Sequence, residues 1–259
     1  MSQNPRKSTL LMATDFVDPS RTTQQEVEYR KLLVNYSGVS IDKLNNFACY
    51  VPTQEQRKFL VRYELFKKIL DVHGSIVECG VQFGGGLMTF ANLSEIFEPI
   101  NHTRKIIGFD TFAGFPSVSE KDNLDKAEQS RVGGLCCDSY NDLYRTIQLF
   151  DSNRFLKHIN KVELVKGDVK NTLPEYLEKN PQLVVSLLWL DFDIYEPTKI
   201  AIRLLIDRIP RGGIIAFDEL NHGLWNGETI AVREELGINN LRIKRFPFGG
   251  TLSYAVIGE

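Results

Sequence analysis

The sequence predicts an α/β fold, a Rossmann-like doubly wound sheet that is mostly parallel and has an antiparallel hairpin at its C-terminal end. Three observations predict it. From Ser75 onward, short apolar runs alternate with stretches of helical spacing, which is typical of a parallel sheet with helices on both faces. Residues 183–190, LVVSLLWL, form a continuous apolar run, as expected of a strand buried on both faces. Two extended runs, 241–246 and 251–257, are joined by a short glycine turn and indicate the hairpin.

The predicted elements follow one another in regular order. The predicted strands lie at residues 76–78, 105–109, 162–165, 183–190 and 214–217. The predicted helices lie at residues 22–36, 53–70, 87–97, 139–150, 172–178, 197–211 and 228–236. The apolar face of the helix at 53–70 is predicted from four residues at helical spacing, Phe59, Tyr63, Phe66 and Leu70. At the start of that helix, Thr53 and Gln56 fit the pattern of a capping box.

The chain divides into an arm and a main domain. We expect residues 1–72 to form an N-terminal helical arm or cap, and residues 73–259 to form one compact domain with the whole sheet. Residues 111–140 carry glycine, proline and charged residues rather than a periodic apolar pattern. A connection of this length is uncommon in a compact domain unless it has a function. We therefore predict a lid or substrate loop at 111–140.

Composition and charge exclude several classes of function. The chain is 42% hydrophobic and 25% charged, as in an ordinary globular protein. Its formal net charge of −2 favours neither nucleic acid nor an anionic membrane as a partner, so a small-molecule ligand is expected. The four cysteines lack metal-finger spacing and are expected to be reduced thiols. No signal sequence or membrane-spanning run of roughly 18 apolar residues is evident, which predicts a cytoplasmic protein.

A glycine-rich turn follows the first predicted strand. Residues 75–86, SIVECGVQFGGG, lead into a predicted helix, and such a turn brings backbone N–H groups close to a ligand. The spacing Gly80-x-x-x-Gly84 lacks the middle glycine of the dinucleotide fingerprint, and no Lys-Ser/Thr ending of a phosphate-binding loop follows. Glu78 would repel a pyrophosphate but could hold an ammonium group, and Asp110 suits a ribose diol. These features favour S-adenosylmethionine over NAD.

Acidic residues mark the ends of the predicted parallel strands. They are Glu78, Asp110, Asp168, Asp191 and Asp218. The carboxyl ends of parallel strands lie along one edge of the sheet, where ligands bind, so these side chains are expected to converge there. A single aspartate after a strand is most often a helix cap or turn residue. Five acidic residues at equivalent positions, each at the end of a predicted strand, favour a functional site.

A second acidic group lies at the ends of two neighbouring strands. Its members are Asp191, Asp193, Asp218 and Glu219. So many like charges raise one another's pKa or bind a cation, and carboxylate oxygens suit magnesium or another hard divalent ion. Helix capping by Asp193 and Asp218 is the alternative. The run Asp191-Phe192-Asp193 also matches the short D-x-D motif of metal-dependent glycosyltransferases.

Several motifs in a fixed order resemble one known family. They are VECGV with the glycine turn, GFDTFAGFP followed by SEKD, KGDVKNTLPEYL, LDFDIYEPT and RGGIIAFDE. From Arg62 to the C-terminus the chain resembles the macrocin O-methyltransferase family, whose members use S-adenosylmethionine and a metal ion to methylate sugar hydroxyls. The first 50 residues carry little of the resemblance. At two positions, Phe192 and Glu219, the chain departs from the small residue and the aspartate that family members often have.

The resemblance implies a methyltransferase domain at 73–259 and assigns its site residues. It places cofactor contacts on Glu78, Gly80, Val81, Gly84, Gly85, Gly86, Asp110, Thr111, Phe112, Asp168 and Val169. It places a magnesium or other divalent ion on Asp191, Asp218 and Glu219. It further implies a sugar or a glycosylated small molecule as acceptor, and a homo-oligomer.

Methyl transfer to a hydroxyl also needs a base. Asp191 is the first candidate, and His222 is the second because its unperturbed pKa is near neutral. Trp225 is expected to be an exposed aromatic that stacks on a sugar ring, although a core position is the alternative. Two other functions are retained: a metal-dependent glycosyltransferase that uses Asp191 and Asp193, and a non-catalytic binding protein of the same fold.

Overall fold

A computed structural model describes residues 28, 31–32, 34–36, 38–122 and 129–259. Most of the helix predicted at 22–36 lies outside these residues. By packing, the chain divides into two compact units, residues 1–58 and 59–259. This division falls inside one helix, 14 residues before the predicted end of the arm at residue 72.

In the first unit, helix α1 (Ser40–Asn45) and a short 3-10 helix (Phe47–Cys49) precede the start of helix α2 (Thr53–Lys68). Thr53 is the first helical residue of α2, and the Gln56 amide donates to the Val51 carbonyl at 2.7 Å. The predicted capping box is therefore wrong, because Thr53 lies one position too late to cap the helix.

The second unit contains one seven-stranded sheet and the helices that cover it. The strands are β1 (Ser75–Cys79), β2 (Ile106–Asp110), β3 (Val162–Lys166), β4 (Val185–Leu190), β5 (Ile214–Phe217), β6 (Lys244–Arg245) and β7 (Ser253–Val256). The helices after α2 are α3 (Gly85–Phe97), α4 (Tyr140–Ser152), α5 (Val169–Lys179), α6 (Tyr195–Leu205) and α7 (Asn226–Glu235). The order across the sheet is β3-β2-β1-β4-β5-β7-β6.

Strands β1 to β5 are parallel, and the last two are antiparallel to their neighbours. The predicted fold is thus confirmed, including the C-terminal hairpin. Between β2 and α4, the described residues form no helix or strand, as predicted for the loop at 111–140. No helix in the described part of the chain is long and apolar enough to cross a membrane.

Two apolar clusters pack on opposite faces of the sheet. On one face, α2, α3 and α4 cover alternate strand residues such as Leu187 and Trp189. On the other face, α5, α6 and α7 cover Leu188 and Leu190. Every residue of β4 is buried, because successive side chains of a strand point to opposite faces and both faces are covered. The prediction of a central strand at 183–190 is confirmed for Val185–Leu190.

Helix α2 contacts the sheet through a different stripe from the one predicted. Phe66 is buried, but Phe59 is 46% exposed and Leu70 is 39% exposed. The residues that face the sheet are Val61, Leu65, Phe66 and Ile69. Val61, Leu65 and Ile69 form an i, i+4 ridge, so two apolar stripes compete in this sequence and the other one packs inward.

Candidate active site

The sheet order reverses between β1 and β4, and the two strand ends are pressed together there. Gly80 follows β1 with φ +93°, and a Cβ at this position would lie 1.9 Å from the Asp191 carbonyl oxygen. The Asp191 N–H donates to the Cys79 carbonyl at 2.8 Å. A crevice at such a reversal is where ligands bind in open α/β sheets. Glycine is required at position 80 by both the close approach and the positive φ.

Helix α3 begins at an open space in the glycine-rich turn. Gly84 precedes the helix with φ +83°. Gly85 is exposed, and apart from its chain neighbours and its own helix no atom lies within 4 Å of the place where its Cβ would stand. The N-terminus of the helix offers backbone N–H groups toward this space. The predicted contacts of Gly84 and Gly85 with a cofactor stay predictions.

Glu78 lies beneath this turn and is almost fully buried, at 1% exposed. A Cβ on Gly86 would lie 1.9 Å from Glu78 Oε1, and the Arg62 guanidinium lies 3.6 Å from the same oxygen. Burial raises the pKa of the Glu78 carboxyl to about 7, although Arg62 opposes the shift. Glu78 Oε2 has no hydrogen-bond partner in the described part of the chain. Arg62, for which the sequence pattern indicates no role, thus contacts a predicted cofactor residue.

Asp110 holds the glycine-rich turn in place. Its Oδ2 accepts the N–H groups of Val81 at 2.7 Å and Gln82 at 2.8 Å. Its Oδ1 accepts the Phe112 N–H at 2.6 Å. The Asp110 carboxylate therefore connects the segments that follow β1 and β2. This structural role adds to the ribose contact that the sequence predicts for Asp110.

The other predicted cofactor residues lie on the same edge of the sheet. Thr111 donates to the Gly114 carbonyl at 2.7 Å, and Phe112 is buried. Asp168 accepts the Lys170 N–H at 3.0 Å and caps α5, which is the helix-cap role expected of many such aspartates. Val169 is buried directly after it. The predicted contacts of these four residues with a cofactor stay predictions.

Two aspartates of the second acidic group follow β4. The indole Nε1–H of Trp189 donates to Asp191 Oδ2 at 3.4 Å. Burial, then the charges of Asp218 and Asp193, hold the pKa of Asp191 well above its usual value. Asp193 is buried and adopts φ +62°. Burial, then Asp218 and Asp110, raise its pKa to about 8. The carboxylates at the ends of β2, β4 and β5 therefore influence one another, as the sequence predicts.

Two glutamates lie close together after β5. Glu219 is buried, and burial followed by the charge of Asp218 raises its pKa to about 11. Its backbone N–H donates at 3.0 Å to Oε1 of Glu228, which is fully buried on α7. Sequence reasoning missed a role for Glu228, because an acidic residue in the first turn of a helix is ordinary. Only the fold shows that it points back to the end of β5.

His222 and Trp225 lie beside these acids. His222 Nδ1 is 3.3 Å from Glu219 Oε2. The same nitrogen accepts a hydrogen bond from the backbone N–H of Trp225 at 3.4 Å. His222 is buried, not a surface residue. Trp225 is only 3% exposed, and its ring meets Phe115 at a centroid distance of 6.0 Å. The expectation of an exposed aromatic is wrong here, because the loop at 111–140 supplies a ring that covers Trp225.

The acidic group has the donor chemistry that a hard divalent cation prefers. The buried Oε2 atoms of Glu219 and Glu228 accept no hydrogen bond from the described residues, and carboxylate oxygens are the preferred ligands of magnesium. Within the described ranges, however, no group of three or more His, Cys, Asp or Glu side chains could hold a metal ion as placed. The chemistry of the donors fits the predicted metal site, while their arrangement alone does not form one.

Comparisons with known proteins agree with this architecture. Residues 63–240 match the family model described as macrocin O-methyltransferase (TylF). The crystal structure of CalS11, a calicheamicin methyltransferase, is 32% identical over 100% of both chains, with a TM-score of 0.89. An apo structure of CalS11, described as a TDP-rhamnose 3'-O-methyltransferase, is 33% identical over 94% of this chain and 97% of that chain, with a TM-score of 0.80.

A more distant structure shares the fold alone. The O-methyltransferase NovP is 19% identical over 77% of this chain and 78% of that chain, with a TM-score of 0.60. A comparison with curated proteins gave no match.

Proposed function

We propose that this chain, which belongs to the macrocin O-methyltransferase (TylF) family, transfers a methyl group from S-adenosylmethionine to a hydroxyl of a sugar or of a glycosylated small molecule. Its place in this family of enzymes sets aside both the glycosyltransferase and the non-catalytic alternative. The observation that carries the proposal is the crevice where the sheet order reverses, at which Gly80 after β1 meets Asp191 after β4. One side of this crevice has the features of a cofactor cradle, and the other has the acids needed at an acceptor.

The cofactor side would recognise S-adenosylmethionine by charge and shape. The carboxylate of Glu78 would favour a cationic ligand, and the exposed position of Gly85 leaves room for it. Asp110 would meet the ribose, with Asp168 and Val169 beside the adenine. When bound, S-adenosylmethionine supplies a methyl group on a positively charged sulfur, which makes it a strong electrophile.

The acceptor side would orient a hydroxyl and remove its proton. Asp191 is our first candidate for this base, because it lies at the meeting point of β1 and β4, between the cofactor side and the acids that follow β5. His222 is the second, since it is buried beside Glu219 on the same edge of the sheet, with Nδ1 3.3 Å from Glu219 Oε2. In the transfer, the acceptor oxygen forms a bond to the methyl carbon, the carbon–sulfur bond breaks, and the hydroxyl proton goes to the base.

We also propose a divalent cation at Asp191, Asp218 and Glu219. The support is the donor chemistry of these carboxylates and their mutual repulsion, which a cation would relieve. A magnesium ion there would lower the pKa of a sugar hydroxyl bound to it. Glu219 lies close to His222, so its side chain has a second possible partner.

The acceptor class is proposed from the relatives. CalS11 is described as acting on TDP-rhamnose, so nucleotide-linked deoxysugars are the first acceptors to test. The loop at 111–140 and the residues around Trp225 would shape the acceptor pocket. We further propose a cytoplasmic homo-oligomer in which residues 1–72 serve as an arm.

Calorimetric titration tests the cofactor assignment. S-adenosylmethionine, S-adenosylhomocysteine, NAD and a UDP-sugar would each be added with and without magnesium. We expect the first two to bind and the other two to give no heat of binding. TDP-rhamnose would be titrated under the same two conditions. Failure of both S-adenosyl ligands to bind would refute the proposal, and equal binding of TDP-rhamnose with and without magnesium would refute the metal site.

A further inference from the structure

Arg62 of α2 lies between the two halves of the site. Its guanidinium is 3.6 Å from Glu78 Oε1 on β1, and its central carbon lies 4.3 Å from the centroid of the Trp189 ring on β4. The Arg62 side chain is 12% exposed, the Glu78 side chain is 2% exposed and Trp189 is fully buried. Contacts of a cation with a carboxylate and with an aromatic face are both stronger when water is excluded.

Trp189 continues this chain of contacts to the acceptor side. The ring that contacts Arg62 also donates its indole N–H to Asp191 Oδ2 at 3.4 Å. Glu78, Arg62, Trp189 and Asp191 thus form a continuous series that crosses from β1 to β4. Because Gly86 leaves no room for a side chain between Glu78 and Arg62, the first contact of the series is closely confined.

We propose that Arg62 is a positioning residue for methyl transfer. On the cofactor side, Arg62 balances the charge of Glu78. On the acceptor side, it holds the Asp191 carboxylate in place through Trp189. This inference rests on the proposed function. Neither contact requires Arg62 to touch a substrate.

Charge on both sides supports this role. The pKa of Glu78 depends on Arg62 on α2, Asp110 at the end of β2 and Asp218 after β5. The Glu78 carboxylate in turn raises the pKa values of Asp191 after β4 and of the Cys79 thiol. Arg62 favours the ionised Glu78 carboxylate, whereas Asp110, Asp218 and burial oppose it. Loss of the Arg62 charge therefore leaves Glu78 protonated to a higher pH, because a buried carboxyl without a counter-charge resists ionisation. A neutral Glu78 would attract a cationic ligand less strongly.

Two variants separate charge from shape. Arg62→Met removes the charge and keeps an apolar side chain, whereas Arg62→Lys keeps the charge but loses the planar group that stacks on an aromatic ring. Arg145→Met, at an exposed arginine of α4, is the matched control. All three proteins would first be compared with the unaltered chain by amide NMR spectra and thermal unfolding, so that a fold defect is recognised.

The cofactor arm measures the affinity for S-adenosylmethionine by calorimetry between pH 6 and 9. We expect Arg62→Met to weaken binding at pH 7.5 by about 3-fold and to move the midpoint of its pH dependence up by about one unit, because a one-unit rise in the pKa of Glu78 from about 7 leaves about 3-fold fewer carboxylates ionised. Arg62→Lys should restore the midpoint. The titration of the ligand itself is common to all proteins, so differences between them report the protein.

The acceptor arm measures the indole N–H signals of a 15N-labelled protein. The chain has two tryptophans, and Trp225→Phe identifies the signal of Trp189. Asp191→Asn should shift that signal through its hydrogen bond. Both Arg62 variants should shift or broaden the same signal, because neither keeps the stacked guanidinium, and Arg145→Met should not.

The two arms distinguish this inference from the proposed function. If the unaltered chain binds neither S-adenosyl ligand, the proposed function fails, while the indole arm still tests the link from Arg62 to Asp191. If the chain binds S-adenosylmethionine but Arg62→Met leaves affinity and pH midpoint unchanged, the cofactor role is overturned. An unmoved Trp189 signal in a folded Arg62→Met protein overturns the acceptor role.

Discussion

The Asp122 carboxylate accepts the backbone N–H of Tyr195 at 2.8 Å, so the loop after β2 is bonded to the first residue of α6. Its other oxygen accepts the Ser119 N–H at 2.8 Å, and Asp122 is 5% exposed. A Cβ on Gly227 would lie 2.2 Å from Asp122 Oδ1. The SEKD segment thus fixes this part of the loop beside the start of α6 and α7.

Asp122→Ala should destabilise the protein. It leaves two backbone N–H groups without their acceptor in a buried place, so we expect the free energy of unfolding to fall by about 2 to 4 kcal/mol. Urea unfolding measures this change. Asp122→Asn retains one acceptor oxygen, so its free energy of unfolding should lie between those of the unaltered chain and Asp122→Ala. Glu120→Ala at an exposed position is the control and should unfold like the unaltered chain, whereas an equally stable Asp122→Ala would contradict this anchoring role.

The strands and the acidic edge could be predicted from the sequence because both depend on local pattern. The apolar run that became β4 needed no knowledge of its neighbours, and parallel strands place Asp110, Asp191 and Asp218 on one edge whatever their order. Helix orientation is different. It depends on which of two apolar stripes packs better, so the sequence did not reveal that Arg62 points to Glu78.

Contacts between distant segments were the other part that could not be predicted. Trp225 is buried because Phe115 packs against it, and 110 positions of sequence separate the two rings. Glu228 and Glu219 meet because the chain turns back between β5 and α7. Neither pairing leaves a periodic signal in the sequence, whereas a strand or a helix does.

Two glycines of the same turn should respond in opposite ways to alanine. Gly80→Ala places a Cβ 1.9 Å from the Asp191 carbonyl oxygen at φ +93°, so both β1 and β4 must shift, and we expect a loss of about 3 kcal/mol or more. Gly85→Ala meets no atom within 4 Å and lies in the first turn of α3. It should unfold at the same urea concentration as the unaltered chain or slightly above it.

Gly85→Ala also tests where the cofactor binds. The added methyl group would enter the space that we assign to S-adenosylmethionine, so its dissociation constant should rise although the protein stays folded. Calorimetry on this variant measures the effect. A folded Gly85→Ala protein with unchanged affinity would move the cofactor away from this space.

Arg104 and Arg203 both pair with a glutamate, and they should differ in what they contribute to stability. Arg104 is 3% exposed and donates to Glu98 at 2.6 Å, to Ser186, and to the carbonyls of Gly74, Ile69 and Val72. Lysine cannot supply these bonds from one ammonium group. Arg104→Lys should therefore lower the free energy of unfolding by about 3 kcal/mol or more.

The control for that variant is Arg203→Lys. Arg203 lies 2.5 Å from Glu235, but its side chain is 59% exposed, and solvent-exposed ion pairs contribute little. We expect its urea midpoint to stay near that of the unaltered chain. Equal losses in the two variants would show that burial does not decide the contribution.

Lys161 should make stability depend on pH. It is buried and donates to the Asn101 carbonyl at 2.8 Å, and burial lowers its pKa from 10.5 to about 8. Between these values the unfolded chain binds a proton that the folded chain does not, so this group favours folding more as pH rises. Below pH 8 the Lys161 ammonium is charged in the folded chain, so its burial lowers the free energy of unfolding by the full amount.

The change of unfolding free energy with pH should therefore differ between the unaltered chain and Lys161→Met. From pH 7.5 to 9.5, the unaltered chain should gain stability relative to the variant, because only it relieves a buried charge. Urea unfolding at four pH values in this range provides the comparison. A difference that stays constant with pH would show that Lys161 titrates as it does in the unfolded chain.

Asp191 and Asp193 are two residues apart, yet their substitution should have different effects on turnover. Asp191→Asn removes the charge of our first candidate for the base, so turnover should fall by about 10²- to 10⁴-fold with magnesium present. Asp193 has φ +62°, which asparagine also tolerates. Asp193→Asn should thus stay folded and lose less activity.

Release of S-adenosylhomocysteine, with TDP-rhamnose and related nucleotide-linked sugars as acceptors, measures this difference. Both variants lose one carboxylate from the same cluster, so an effect of cluster charge alone would slow them equally. Full turnover by Asp191→Asn would remove Asp191 from both the base and the metal assignment. His222→Gln would then be the next variant, because His222 is the remaining candidate that we have named to accept the proton.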